Sequence, residues 1–134
     1  KLGTRAKIGL LATTGTVQTG IYGDKANAMG LPMFVPDDVH QERVMAAIYG
    51  PQGAKAGYTN GICREDLISA AEYLVKTHGC NCLILGCTEL PLILDESDDF
   101  EVAGSRVIVV DPTAALARKV VKTAEDAYAA TGIR

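Results

Sequence analysis

CNCLILGCTELPLIL, residues Cys80–Leu94, is the stretch from which the fold is read. Leu83-Ile84-Leu85 is an apolar run closed by Gly86, the pattern of a strand buried in a parallel sheet. Thr88, Glu89 and Pro91 then read as the first turn of a helix, with a capping hydroxyl and an early proline. This puts Cys87 at the carboxyl end of a strand and just before a helix N-terminus. Ligands bind open α/β sheets at the carboxyl ends of strands, and a helix N-terminus favours a thiolate. Cys87 is the leading candidate for chemistry.

Upstream of that stretch, Arg64–His78 has a helical period, with Leu67, Ile68, Ala71, Leu74 and Val75 on one stripe and Gly79 as C-cap. Gly50–Gly61 is rich in glycine and reads as a long loop. Asp37-Asp38 start a helix in which Val44/Ile48 and Met45/Tyr49 are spaced by four. Leu31–Pro36 reads as a strand between prolines. Val17–Met29 reads as a helix interrupted by Gly20 and Gly23, and Lys7–Thr13 as a strand followed by the turn Ala12–Thr16. Downstream, Leu90–Leu94 is a short helix or turn, and Asp95–Gly104 an acidic surface loop. Val107–Val110 is a strand, and Asp111-Pro112-Thr113 a helix start. The final helix, Ala114–Ala130, is expected to bury Leu116, Ala117, Val120, Val121, Ala124 and Tyr128.

Strands alternating with helices imply one α/β domain over residues 1–134. The expected architecture is a four-stranded parallel sheet flanked by helices, in the flavodoxin-like order 2-1-3-4. In that order the strands ending at Thr13 and Gly86 are neighbours, and a crevice opens between them at a topological switch point.

The chain has 134 residues, enough for a real core, and 48% of them are hydrophobic. A net charge of −3 gives no electrostatic footprint for nucleic acid. No apolar run reaches the roughly 20 residues that span a bilayer, so no membrane partner is expected. The N-terminus lacks the apolar core of a signal peptide, and four cysteines without secretory signs suggest reduced thiols and a cytoplasmic location.

Other groups invite chemical readings. Ala12–Thr16 presents hydroxyls and backbone N–H groups at a strand-to-helix turn, which suits a carboxylate or phosphate. Gly15–Gly20 has phosphate-loop glycine spacing, but Ile21-Tyr22 replace the Lys-Ser/Thr it requires, and no GxGxxG occurs. His78, Cys80 and Cys82 alternate and would share one face of a strand, yet they lack a fourth ligand and CxxC spacing, so no metal site is assigned. Cys63, Cys80 and Cys82 read as small buried hydrophobes. His40, near a helix start, reads as solvated. Glu89 at a helix N-terminus would add a few tenths to about 1 kcal/mol.

GCTELP resembles the second active-site motif of the aspartate/glutamate racemase family, the cofactor-independent amino-acid racemases. Gly9–Tyr22, GLLATTGTVQTGIY, is similar to the segment that opens the second half of those enzymes. The resemblance runs from about Lys7 to the final helix. It implies interconversion of L- and D-amino acids by two cysteines, one thiolate and one thiol, on opposite sides of the α-carbon, without a cofactor. Cys87 would be one of the pair. By the same resemblance Thr88, Thr14 and Thr16 would hold the α-carboxylate and ammonium of a small acidic amino acid, and Lys55 its side-chain carboxylate, with Glu89 in support. Glu89 stands where the glutamate racemases usually have His, which is similar to the aspartate-type branch.

The family's first cysteine lies in a CNT-type motif of the preceding half, and nothing here reads as that motif. The resemblance therefore implies an N-terminal domain missing from this sequence through truncation, excision or gene splitting, and an isolated chain that is inactive. The strand-end loops, with Leu90 and Leu92, would face that domain, so the chain by itself is expected to be a homo-oligomer. Two other readings stay open. A single-cysteine relative could catalyse decarboxylation or isomerisation with one proton donor, or the domain could be non-catalytic, binding a small acid or pairing with another chain.

Overall fold

The computed structural model describes residues 5–131. Its sheet has five strands, β1 (Ile8–Leu11), β2 (Met33–Phe34), β3 (Cys82–Leu85), β4 (Ser97–Val102) and β5 (Ser105–Val110), in the order β2-β1-β3-β5-β4. β2, β1, β3 and β5 run parallel, in the order expected for four strands. The fifth strand is a correction. β4 pairs antiparallel with β5, through residues expected to form an acidic loop. Acidic composition hid an alternation in which Phe100 and Val102 turn inward while Asp98, Asp99 and Glu101 stay exposed. Ala103 and Gly104, at φ 54° and 75°, supply the two left-handed residues of a tight hairpin turn. Charge on an edge strand also blocks further pairing.

Among the described residues there are five α-helices: α1 (Thr14–Thr19), α2 (Ile21–Ala28), α3 (Asp38–Tyr49) and α4 (Ile62–His78) lie between strands, and α5 (Pro112–Thr131) follows the last. The single helix expected over Val17–Met29 is two, because Gly20 adopts φ 74° and ends α1, whereas Gly23 lies inside α2. Gly79, at φ 69°, caps α4 as expected. Residue alternation gives the sheet two faces. On one, Leu11, Leu83, Leu85, Val107 and Val109 meet the stripe Leu67, Ala71, Leu74 and Val75 of α4 and Val44 and Ile48 of α3, all in one buried cluster. Gly9 belongs to this face, where an added Cβ would lie 2.9 Å from Leu83 Cδ2 and 3.0 Å from Leu74 Cδ1. On the other face, α1 and α2 cover the β1 side, and Ile8, Leu10, Ala12 and Ala26 are buried there.

The last helix departs most from expectation. Leu116 is 64% exposed, Val120 58%, Val121 57% and Tyr128 46%, and Ala117 and Ala124 are also exposed. The helical period is real, but α5 follows β5 after Asp111 alone and stands away from the domain, so its apolar stripe is not in the core. Among the described residues no helix is long and apolar enough to cross a membrane.

Candidate active site

The Gly86 N–H donates to Leu11 O at 2.7 Å, so the ends of β1 and β3 are level. Gly86 is required sterically: a Cβ there would lie 2.9 Å from Leu10 Cδ1 and 3.0 Å from Ala12 Cβ. The chain then leaves the sheet at Cys87, which is half-buried. Of the short helix or turn expected after it, the turn is what forms. Leu90–Leu92 make only one 3₁₀ turn, and Glu89 at its start makes no side-chain cap. Leu90, Ile93 and Leu94 are buried instead, and an Arg64 guanidinium N–H donates to Ile93 O at 2.7 Å. Burial outweighed the capping signal. Of the two leucines expected at an exposed strand end, Leu90 is buried and Leu92 is 59% exposed.

The loss of that helix changes the electrostatics of Cys87. No α-helix begins directly after it to draw the thiol toward ionisation. Burial, and then the hydrogen bond to Glu89, push the Cys87 thiol above its ordinary value. Cys87 Sγ donates to Glu89 Oε2 at 2.9 Å, and the Thr88 hydroxyl donates to the same oxygen at 3.0 Å. Lys55 Nζ meets Glu89 Oε1 at 2.8 Å. Glu89 is therefore a hub rather than a helix-end charge. The hydrogen bonds from Cys87, Lys55 and Thr88, in that order, bring its carboxyl down to about 2. Lys55 is raised in turn, chiefly by its hydrogen bond to Glu89.

Lys55 reaches this point from a loop that grips α3. A Cβ on Gly53 would lie 2.8 Å from both Ala46 O and Ala47 O, so only glycine allows that approach. The single 3₁₀ turn Ala54–Ala56 comes next, with Ala54 buried and Lys55 Nζ lying 5.6 Å from the centroid of the Tyr49 ring. Four of the residues singled out in the sequence, Lys55, Cys87, Thr88 and Glu89, thus form one bonded group.

Thr14 and Thr16 stand on the adjoining strand end with partners of their own. The Thr13 hydroxyl donates to Thr16 Oγ1 at 3.0 Å and accepts from Thr16 N at 3.2 Å as the N-cap of α1. Gln41 of α3 was missed by the sequence reading. Its Nε2 donates to Ala12 O at 2.8 Å and to Thr14 Oγ1 at 3.4 Å, and its Oε1 is buried without a partner. Nothing local marks Gln41, because its role depends on α3 crossing this strand end.

The remaining cysteines and histidines lie elsewhere. Cys63, buried, donates to Asn60 O at 3.3 Å, and burial pushes Cys80 up to about 11. Cys82 is half-buried rather than buried. His78 does not share a strand face with Cys80 and Cys82, because it ends α4 and stacks on Phe34. His40 is held rather than solvated, 2.6 Å from Asp37 Oδ1 and stacked on Tyr73. Among the described residues no three His, Cys, Asp or Glu side chains are grouped to hold a metal.

Residues 1–120 match the profile of the Asp/Glu/hydantoin racemase family. The chain is 39% identical over 116 residues to an uncharacterized protein in the pnlA 3′ region of Pectobacterium carotovorum subsp. carotovorum, covering 87% of this chain and 71% of that protein. It is 30% identical over 120 residues to the glutamate racemase of Desulforudis audaxviator, covering 88% of this chain and 40% of that enzyme. In structure it is similar to the aspartate racemase of Picrophilus torridus, with a TM-score of 0.65 and 29% identity over 90% of this chain and 46% of that one. The chain thus spans less than half the length of these two racemases.

Proposed function

Because the chain belongs to the Asp/Glu/hydantoin racemase family, we propose that it is one half of a cofactor-independent aspartate-type amino-acid racemase, with Cys87 as the proton-transferring group on one side of the α-carbon. The observation that carries this reading is the bonded group Cys87–Glu89–Lys55, with Thr88, at the carboxyl end of β3. Racemisation requires removal of a weakly acidic α-proton and return of a proton to the opposite face. Glu89 and burial keep Cys87 protonated at rest, so this half acts first as the donor. The carbanion takes the thiol proton, and the electron pair stays on sulfur as thiolate. That thiolate, beside the Glu89 carboxylate, is a strong base for the reverse direction, and the Lys55 ammonium offsets part of its charge. General acid–base groups of this kind each contribute about 10²–10⁴-fold.

In this reading Thr14, Thr16 and Thr88 bind the α-carboxylate and ammonium group. Lys55 exchanges part of its pairing with Glu89 for a substrate side-chain carboxylate, and the second base comes from a preceding domain. The isolated chain then does not racemise L- or D-aspartate, as followed by circular dichroism. Limiting iodoacetamide with peptide mapping is expected to modify Cys87 ahead of Cys63, Cys80 and Cys82. Aspartate should protect Cys87 and alanine should not. Racemisation by the chain at the rate of an intact enzyme, or preferential labelling of Cys63 without aspartate protection, would sink the reading.

A second reading is favoured by the same protonated thiol. A lone donor serves one-sided protonation after decarboxylation or isomerisation. In D₂O it would yield a product deuterated with a single handedness, whereas racemisation yields both.

A further inference from the structure

The Ala12–Thr14 turn leaves the sheet beside the Cys87 turn, because β1 and β3 are paired and their ends are level. α3 holds the first of these turns with two half-buried side chains spaced by four, Gln41 and Met45. Met45 Sδ accepts from Thr14 N at 3.3 Å. The Gln41 amide gives its hydrogens to two acceptors, Ala12 O at 2.8 Å and Thr14 Oγ1 at 3.4 Å. Ala12 O can only accept, so it fixes which way the amide faces. The reverse orientation would set Gln41 Oε1 against another carbonyl oxygen. Oε1 lies on the opposite side instead, buried without a partner.

A hydroxyl has one hydrogen to give and lone pairs to receive others. Gln41 occupies a lone pair of Thr14 Oγ1, so the Thr14 hydrogen turns away from that amide, and no acceptor among the described residues takes it. Thr88 is the opposite case. Its hydrogen goes to Glu89 Oε2, which leaves only lone pairs to offer. The hydroxyls at the two strand ends therefore differ in polarity. We propose that Gln41 is a positioning residue: by donating to Thr14 Oγ1 it makes the Thr14 hydroxyl a hydrogen-bond donor, and so assigns it to the α-carboxylate of the substrate rather than to the ammonium group. A donor aimed at an ionised acceptor makes the stronger class of hydrogen bond. The assignment rests on the amino-acid substrate of the proposed function, but not on Cys87 as the group that moves the proton.

The nitrogen-15-labelled 134-residue chain is titrated with L-aspartate, and with aspartic acid α-amide, whose α-carboxylate is neutralised. Nuclear magnetic resonance follows the Thr14 backbone amide and the Gln41 side-chain amide. Aspartate should move both. Gln41→Met, which keeps the length of the side chain but cannot donate, should bind aspartate about tenfold more weakly. Thr14→Val should do the same, and the double variant should be no weaker than Thr14→Val alone, because Gln41 acts through Thr14. Binding of the α-amide should not respond to Gln41→Met. Without any ligand, Thr14→Val should shift one of the two Gln41 amide hydrogens and leave the one on Ala12 O in place, a result that stands even if Gln41→Met fails to fold. Unchanged aspartate affinity in Gln41→Met overturns the proposal, as do losses that multiply in the double variant or an equal loss for the α-amide. So do unmoved Gln41 signals in Thr14→Val, or a parent chain that binds no aspartate. Gln41-dependent binding without protection of Cys87 from iodoacetamide would instead sink the proton-transfer reading and leave this one standing.

Discussion

The two faces of the sheet are built from the same strands but differ in how they are filled. Toward α3 and α4, Leu83, Leu85 and Val109 are 0–1% exposed and share one buried cluster. On the reverse side the neighbouring Ile84, Ile108 and Val110 keep contact with solvent. Side-chain chemistry does not separate them, since both sets are β-branched or leucine. What separates them is whether a helix lies above. The difference teaches that an apolar alternation records which surfaces need cover, without recording what supplies it.

The largest effect should come from breaking this asymmetry directly. Leu83→Ala removes a wholly buried side chain and should cost about 2–5 kcal/mol in urea denaturation. Ile84→Ala, one residue along but half-exposed, should cost only about 1 kcal/mol, because less apolar area leaves water. Equal losses would show that the reverse face is covered in solution. Next in size is Gly86→Ala, where the reverse face is tightly filled beside the site. The new Cβ would press on Leu10 and Ala12, and overpacking of this kind costs about 1–3 kcal/mol. It should also slow Cys87 alkylation at fixed pH, measured by peptide mapping, by displacing the thiol from its neighbours.

A smaller effect sharpens the comparison at the strand end where the two faces meet. The Glu89 carboxyl, ordinarily at 4.5, is brought down to about 2 by its bonds to Cys87, Lys55 and Thr88. A depressed carboxyl stabilises the fold above its unfolded value, and this is lost as pH falls from 4.5 toward 2. Glu89→Gln should remove that part of the acid dependence of Tm. The same variant should speed Cys87 alkylation near neutral pH, since the carboxylate that raises the thiol is gone. Lys55→Met should slow it.

The smallest effect concerns the packed face at alkaline pH. Cys80, ordinarily at 9.0, is pushed up to about 11 by burial. A raised thiol holds its stabilisation below 9.0 and gives it up as pH climbs toward 11. Cys80→Ala should therefore flatten the decline of Tm across that window.

Much of this was legible in the chain itself. The α4 stripe Leu67, Ala71, Leu74 and Val75, the Gly79 cap and the parallel order of four strands come from periodicity and turn chemistry, which are local. Cys87, Thr88 and Lys55 were legible through the resemblance of GCTELP and its surroundings to a known motif. Glu89 was legible as support for the site, but its pairing was not, because its partner Lys55 lies 34 residues away and only folding of the Gly53 loop against α3 brings them together. Gln41 left no sequence signal at all.

By itself, then, the sequence determined the elements, their order in the parallel sheet and the strand end from which Cys87 emerges. Those depend on hydrophobic period, glycine conformation and the shortness of connections. Only the tertiary structure decided that the Cys87 thiol is pushed upward, by burial and by Glu89, with only a single 3₁₀ turn following it. It also decided that the apolar stripe of α5 lies outside the core. Period states that a face is apolar, but burial requires a second surface, and the position of that surface is a property of the folded chain.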